Sequence, residues 1–190
     1  MGLSIVKWVS STALLLASGV ALAHPSHEHT SSFMAGFSHP MGGFDHLLAM
    51  VAVGLWAASL GGRALWAVPA AFVITMFAGG GLAVAGMQIP FIEQGILLSV
   101  IVLGALLLGA KRLPVMACAV IAAGFALFHG AAHGIEMPIN ADGLQYTLGF
   151  VSSTVVLHLM GLGLGLLATP LMTRIGGSVI AVMGLLLVVS

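Results

Sequence analysis

Long apolar runs, separated by short polar or turn-forming stretches, make up most of the chain. Six runs are long enough to cross a bilayer as helices, because its hydrocarbon core is about 30 Å thick and needs roughly 20 apolar residues. They cover residues 34–59, 65–86, 91–110, 113–135, 144–168 and 171–189. The separators contain Gly, Pro or charged residues and are too short to hold a further domain. The pattern predicts an all-α integral membrane protein with six transmembrane helices.

A shorter apolar run at the start of the chain has the features of a cleaved secretory signal peptide. Lys7 supplies the positive charge, the residues from Ala13 to Leu22 form the apolar region, and Ala21-Leu22-Ala23 matches a cleavage site. The alternative is an uncleaved first membrane helix. Cleavage predicts three parts: a signal peptide in residues 1–23, a His-rich periplasmic tail in residues 24–33 and a six-helix transmembrane domain in residues 34–190.

Composition supports the membrane setting and excludes several classes of protein. The chain is 60% hydrophobic and only 5% charged, with a mean hydropathy of +1.19, whereas a soluble domain carries about 25% charged residues. The absence of a basic patch argues against a nucleic-acid partner. The single cysteine, Cys118, excludes an internal disulfide and a thiolate cluster.

The basic residues predict the orientation in the membrane. Arg63 lies between predicted helices one and two, Lys111-Arg112 between three and four, and Arg174 near the start of helix six. All of them therefore lie on the same side of the bilayer. The positive-inside rule makes that side cytoplasmic. A cleaved signal peptide independently places the mature N-terminus outside. We therefore predict a multi-pass inner-membrane protein with both mature termini on the periplasmic side.

The first group of ionisable residues lies at the predicted outer end of helix one. His39, Asp45 and His46 lead an otherwise apolar run, and ionisable groups within a membrane helix are costly enough that a functional role is the default hypothesis. If residues 34–59 form one continuous helix, His39 and His46 share a face. The alternative for His39, which precedes Pro40, is a cap at the start of that helix.

A second group lies at the predicted outer end of helix four. His129, His133 and Glu136 are spaced i, i+4, i+7 and so share one stripe of that helix. Glu93 is near the outer end of helix three, where a carboxylate also suits the helix dipole.

We expect the two groups to form one site. Helices one and four are predicted to pack together, with glycines 42, 43, 130 and 134 permitting the approach. Ligand atoms of His46 or Asp45 are expected within about 8 Å of those of His129 or His133, a gap that could close around a metal with bonds of about 2 Å.

Other polar residues leave alternatives open. His158, in the middle of helix five, is either a ligand or a helix–helix hydrogen-bond donor. The tail histidines His24, His27 and His29 either capture metal or belong to a solvated linker, and Asp142 has the features of a turn residue. The glycine run 79–81 is expected to interrupt helix two. No internal repeat is visible in the sequence, although transporters often contain one.

Imidazole nitrogens with carboxylate oxygens suit divalent transition metals better than Mg²⁺ or Ca²⁺, which prefer all-oxygen shells. Such residues within membrane helices favour a transporter of such an ion. No G-x-x-x-x-G-K-[ST] loop is present, so transport would be secondary rather than ATP-driven. A bis-histidine haem protein for electron transfer is the alternative function. A metalloprotease is excluded because the chain contains no H-E-x-x-H motif. The protein is therefore not expected to be an enzyme.

The sequence resembles the HupE/UreJ family of nickel permeases. The family's H-P-x-x-G-x-D-H signature matches residues 39–46, and its F-H-G-x-A-H-G-x-E motif matches residues 128–136. The resemblance implies secondary uptake of Ni²⁺, or of Co²⁺ in some members, with no tightly bound cofactor. It also implies that the metal serves hydrogenase or urease maturation, so that a metallochaperone or maturation protein is the expected partner. The resulting metal-ligand prediction comprises His39, Asp45, His46, Glu93, His129, His133 and Glu136.

Overall fold

The structure is a computed structural model that describes residues 31–109 and 113–189. The described residues form helices and no strands. The helices are α1 (Ser32–Gly42), α2 (Phe44–Leu60), α3 (Ala64–Val84), α4 (Ile92–Gly109), α5 (Val115–Ile135), α6 (Gly143–Leu167) and α7 (Pro170–Val189). The predicted signal peptide and the tail histidines lie outside the described residues, so both remain predictions.

The all-α membrane fold is confirmed. Helices α3 to α7 are each long and apolar enough to cross a bilayer, and α1 with α2 gives a sixth crossing if the bent pair is counted as one span. The helix ends lie within four residues of those predicted from the apolar runs. The glycine run 79–81 does not interrupt its helix, because α3 continues through it to Val84.

The prediction of one continuous helix over residues 34–59 is wrong. The chain bends by 84° between α1 and α2, at Gly43, whose backbone is extended. Pro40 lacks an amide hydrogen and so weakens the last turn of α1. The Asp45 carboxylate then accepts a hydrogen bond from the His46 amide in the first turn of α2 (2.7 Å), satisfying one of the amides that a helix start leaves free. His39 and His46 therefore lie on different helices.

Small residues allow the helices to pack backbone against backbone. The most extensive contacts join α3 to α5, α2 to α6, α4 to α7 and α1 to α6. At Gly36 and Gly149, a Cβ atom would collide with the backbone of the partner helix, so only glycine fits between α1 and α6. This packing agrees with membrane helices that associate through small residues.

The packing contains a repeat that the sequence does not show. At several glycines, three of which define the repeat, an added Cβ would meet the carbonyl oxygen of one residue and the amide nitrogen of the residue four positions later. These contacts are Gly54 on His158 and Leu162, Gly130 on Met76 and Gly80, and Gly104 on Gly177 and Ala181. The last contact is reciprocal, because a Cβ at Gly177 would meet the Gly104 carbonyl oxygen and the Leu108 amide nitrogen. Helix α2 thus meets α6 as α5 meets α3, and α4 and α7 are equivalent to each other.

A pseudo-two-fold axis therefore relates α2–α4 to α5–α7, and α1 has no counterpart among the described helices of the second half. Its direction follows from α4 and α7, which are antiparallel because Gly177 meets Leu108 whereas Gly184 meets Ile101. A two-fold axis that exchanges two antiparallel helices is perpendicular to their direction, as it is in inverted-topology repeats. The repeat is invisible in the sequence because the equivalent side chains differ: His129 corresponds to Val53, and His158 to Met76.

Candidate metal site

Four imidazoles converge where α2 begins and α5 ends, a region here named the histidine end. The ring centroids of His46 lie 4.9 Å from those of both His129 and His133, and His39 lies 4.9 Å from His133. The rings are too close for the ligand atoms to exceed the predicted separation of about 8 Å, so the predicted juxtaposition of the two groups is confirmed. His39 and His46 lie 6.4 Å apart despite the bend between their helices.

The glycine-mediated helix contact that was predicted to bring the two groups together is wrong. Gly130 and Gly134 face α3 rather than the start of α2, and Gly42 has no neighbour within 4 Å. Helices α2 and α5 are not among the extensively packed pairs. The long imidazole side chains bridge the space between the two helices.

His39, His133 and Glu136 form the outer tier of the cluster. One ligand atom from each lies within 4.8 Å of the others, and His39 Nε2 is 2.8 Å from Glu136 Oε2. His39 lies near the end of α1 rather than at its start, so it does not cap that helix. Glu136 follows the last turn of α5 and is half exposed. Solvent reaches His39 and Glu136 of this tier, whereas His133 is fully buried.

His46 belongs, with His129, to a second tier of the cluster, here named the inner tier, and Asp45 orients it. The carboxylate oxygen Oδ1 of Asp45 lies 3.0 Å from His46 Nδ1. An ionised carboxylate only accepts hydrogen bonds, so Nδ1 carries the proton and Nε2 carries the lone pair. A carboxylate that holds the outer nitrogen of a metal-binding histidine is a common arrangement. Asp45 Oδ1 is thus engaged by His46 rather than free for an ion.

His129, the second inner-tier histidine, is oriented by Ser99 of α4. The Ser99 hydroxyl donates to the Ile96 carbonyl (2.6 Å) and lies 2.9 Å from His129 Nε2. Since the hydroxyl has one hydrogen, His129 Nε2–H must donate to Ser99 Oγ. The lone pair of His129 is then on Nδ1.

The lone-pair nitrogens of the inner tier are buried and have no protein partner among the described residues. They are His46 Nε2 and His129 Nδ1, and both nitrogens of His133 are likewise unpaired. The His133 ring stacks on Phe150, with centroids 4.9 Å apart. Because buried polar atoms without a partner are costly, an ion bound among these rings would offset that cost.

A cavity of about 410 Å³ connects the cluster with Glu93. It is bordered by Asp45, His46, Glu93 and Glu136, with apolar side chains between them. Glu93 is exposed in the first turn of α4. The structure therefore brings all seven predicted residues to one end of the bundle, six in the cluster or its orienting contacts and Glu93 at the cavity.

Two residues near the cluster were missed from the sequence. Ser99 is a single hydroxyl in the apolar run of α4, and only its position against His129 distinguishes it from a packing residue. Phe72 of α3 contacts the His129 ring at 5.5 Å, and no motif signals it. Asp142 is confirmed as a local structural residue, because it caps α6 by accepting from the Gln145 amide (2.8 Å).

Comparisons with known proteins agree with this architecture. The chain matches the HupE / UreJ protein family over residues 12–187. It is 41% identical over 187 residues to "Protein HupE" of Rhizobium leguminosarum bv. viciae, a match that covers 96% of this chain and 97% of that protein. No solved structure matches the chain. With both motifs intact and nearly the whole chain matched, the protein belongs to the HupE/UreJ family.

Proposed function

We propose that the protein is a secondary transporter that takes up a divalent transition-metal ion, Ni²⁺ first and Co²⁺ as the alternative, through the histidine end. The observation that carries the proposal is the set of buried, unpaired imidazole nitrogens of His46, His129 and His133, which converge from two helices. Membership of the HupE/UreJ family supports it.

The donor set favours a borderline metal. Imidazole suits Ni, Co, Cu and Zn, and the carboxylates of Glu136 and Glu93 add oxygen donors without forming the all-oxygen shell that Mg²⁺ and Ca²⁺ prefer. The one cysteine, Cys118, lies near the opposite end of α5 from the histidines. The site therefore has no thiolate available for a Cu(I)-type route.

The proposed route begins at the carboxylates. A hydrated ion first meets Glu93 and Glu136 at the cavity, exchanges water for His39 and His133 in the outer tier, and then passes to His46 and His129 in the inner tier. Asp45 and Ser99 act as positioning residues, since each holds one nitrogen so that the other presents its lone pair. His133 contacts His39 and His46 and so links the tiers.

The proposed direction is inward, from the periplasm. We put the histidine end on the outer side of the inner membrane, which the positive-inside bias of Arg63 and Arg174 supports. A divalent cation moving inward gains about 4.6 kcal/mol per 100 mV, twice the single-charge value. The ion would then pass to a cytoplasmic metallochaperone or a hydrogenase or urease maturation protein.

A bis-histidine haem fits the site less well. Two axial ligands must lie on opposite sides of a flat macrocycle, whereas the His46, His129 and His133 rings meet edge to face at 4.9 Å, without a slot between them. Absence of a Soret band from purified protein is the expected result.

Uptake of radioactive nickel, in competition with cobalt, by cells with and without the chain tests the proposal. We expect His46→Ala and His129→Ala each to abolish chain-dependent uptake, and the double variant to be no worse, because parts of one site are non-additive. Glu136→Gln is expected to weaken uptake, whereas Asp142→Asn, which keeps the cap of α6, leaves it unchanged.

Two results would contradict the proposal. One is cells with the chain that accumulate neither metal above the background of cells without it. The other is additive, partial losses for His46→Ala and His129→Ala with normal membrane levels of both variants, which would show that the two histidines do not share a site.

A further inference from the structure

His158 is a buried histidine that the route described above does not use. It lies in the middle of α6, is 3% exposed, and neither ring nitrogen has a hydrogen-bond partner among the described residues. Helix–helix hydrogen bonding therefore does not explain it. An unpaired imidazole within a membrane helix is costly, and such residues typically mark the path of an ion or substrate.

One aromatic ring connects His158 with the inner tier of the histidine end. The Phe72 centroid lies 5.5 Å from that of His129 and 5.1 Å from that of His158. Phe72 is fully buried, so the two imidazoles are separated by a single side chain rather than by a layer of core. An ion that passes Phe72 would next meet His158.

Two further donors lie one helical turn from these residues, on the side of the histidine end. Thr154 precedes His158 by four residues on α6, and Met76 follows Phe72 by four on α3, so each pair shares a helix face. Thr154 Oγ1 donates to Met76 Sδ at 3.7 Å, and both side chains are fully buried. The α3–α6 contact thus contains nitrogen, oxygen and thioether donors, a set suited to a borderline or soft metal.

We propose that His158, with Met76 Sδ and Thr154 Oγ1 on its histidine-end side, forms a second, deeper binding site for the transported metal, alongside Phe72. The inference rests on the proposed function, since it assigns a second position on the same route. Two sites in series suit transport, because conduction requires binding strong enough for the ion to enter and weak enough for it to leave. The thioether makes the deeper site chemically different from the histidine–carboxylate cluster.

Experiments on purified protein test this inference separately from the proposed function. Nickel binding is measured on detergent-solubilised protein, and nickel flux on the same protein in liposomes. We expect His158→Gln to keep nickel binding at the histidine end, to bind one nickel fewer at saturation, and to lose flux by about tenfold or more, the scale on which lost metal contacts act.

The methionine provides a variant that preserves the fold. Met76→Leu conserves volume in the core and is expected to lower flux and to remove the sulfur contribution from the nickel X-ray absorption spectrum. Met160→Leu is the control, because Met160 is on the same helix as His158 but is exposed on the outside of the bundle. It is expected to leave flux, stoichiometry and spectrum unchanged.

The outcomes distinguish the two ideas. Absence of nickel flux through the wild-type protein would overturn the proposed function itself. If the wild-type protein transports nickel, and both His158→Gln and Met76→Leu keep its flux and its nickel stoichiometry, only the deeper site is overturned. If His158→Gln does not fold, Met76→Leu decides: loss of sulfur scattering and flux supports the deeper site, and retention of both contradicts it.

Discussion

At the scale of single residues, the H-P-x-x-G-x-D-H signature has a physical explanation. A Cβ at Gly43 would lie 2.7 Å from Asp45 Oδ1 and 3.5 Å from His46 Nδ1. Glycine is therefore needed there because the Asp45 carboxylate folds back over the position to orient His46. The motif encodes a bend, an orienting carboxylate and a candidate ligand within eight residues.

Neighbouring glycines allow a controlled test of this explanation. Gly43→Ala is expected to displace the Asp45 carboxylate and lower nickel affinity, within the 10- to 100-fold range typical of lost orienting contacts, with little loss of stability because the carboxylate is a flexible side-chain end. Gly42→Ala is the matched control, since its Cβ would meet nothing within 4 Å. Titration of both purified variants with nickel makes the measurement, and equal affinities would refute this role for Gly43.

At the scale of helices, most of the fold was predictable and the break after α1 was not. Apolar length fixes membrane helices well, because the bilayer demands it, and the predicted ends of α3 to α7 were confirmed. The break depends on Pro40 and Gly43, and helices elsewhere tolerate both residue types: α3 continues through Pro69 and three consecutive glycines. Which glycine breaks a helix depends on tertiary contacts that a single sequence does not display.

Part of the candidate site was likewise predictable from the sequence, and part of it was not. Ionisable residues in apolar runs identified the cluster, because the membrane makes their presence costly. The roles within it were not predictable, since the tautomer of His129 depends on Ser99, thirty positions earlier in the chain. Glycine spacing was misleading, as Gly130 and Gly134 serve the α3–α5 contact instead of the approach to α2.

Helix packing through glycine gives a prediction about stability. A Cβ at Gly177 of α7 would lie within 2.7 Å of the Gly104 carbonyl oxygen and the Leu108 amide of α4. Gly177→Ala must push the two helices apart, and overpacking of this kind costs about 1–3 kcal/mol. Gly176→Ala has nothing within 4 Å and is expected to be neutral or slightly stabilising. Thermal unfolding of both variants in detergent provides the comparison, and equal melting temperatures would disprove the close contact.

At the scale of the whole molecule, the two-fold relates the two ends of the bundle. The cavity at the histidine end borders Leu97, Ile135 and Glu136. A cavity of about 310 Å³ elsewhere borders Pro170, Ser59 and Leu60, which are the equivalent positions under the two-fold. Inverted repeats are common in transporters, so this pair of cavities agrees with the proposed function. The ligands themselves break the symmetry, since Leu60 stands where the other half has Glu136.

The three most extensive helix contacts, α3 with α5, α2 with α6 and α4 with α7, all join one half of the repeat to the other. We therefore expect a chain ending at Gly109 to be unstable and degraded when expressed alone, because its main packing surfaces have no partner. Co-expression with a second chain that begins at Leu113 is expected to restore both membrane levels and nickel uptake, measured by immunoblot and radioactive nickel. A stable, detergent-extractable first half on its own would contradict this.

This interlocked arrangement constrains biogenesis. When the ribosome has delivered the first half to the membrane, those helices are inserted but lack the neighbours that will hold them, and the glycine faces of α2 and α3 stay against lipid until α5 and α6 arrive. Maturation thus depends on the second half emerging before quality-control proteases act on the first. Slowing translation after Gly109 would lower the yield of protein without any change in its sequence.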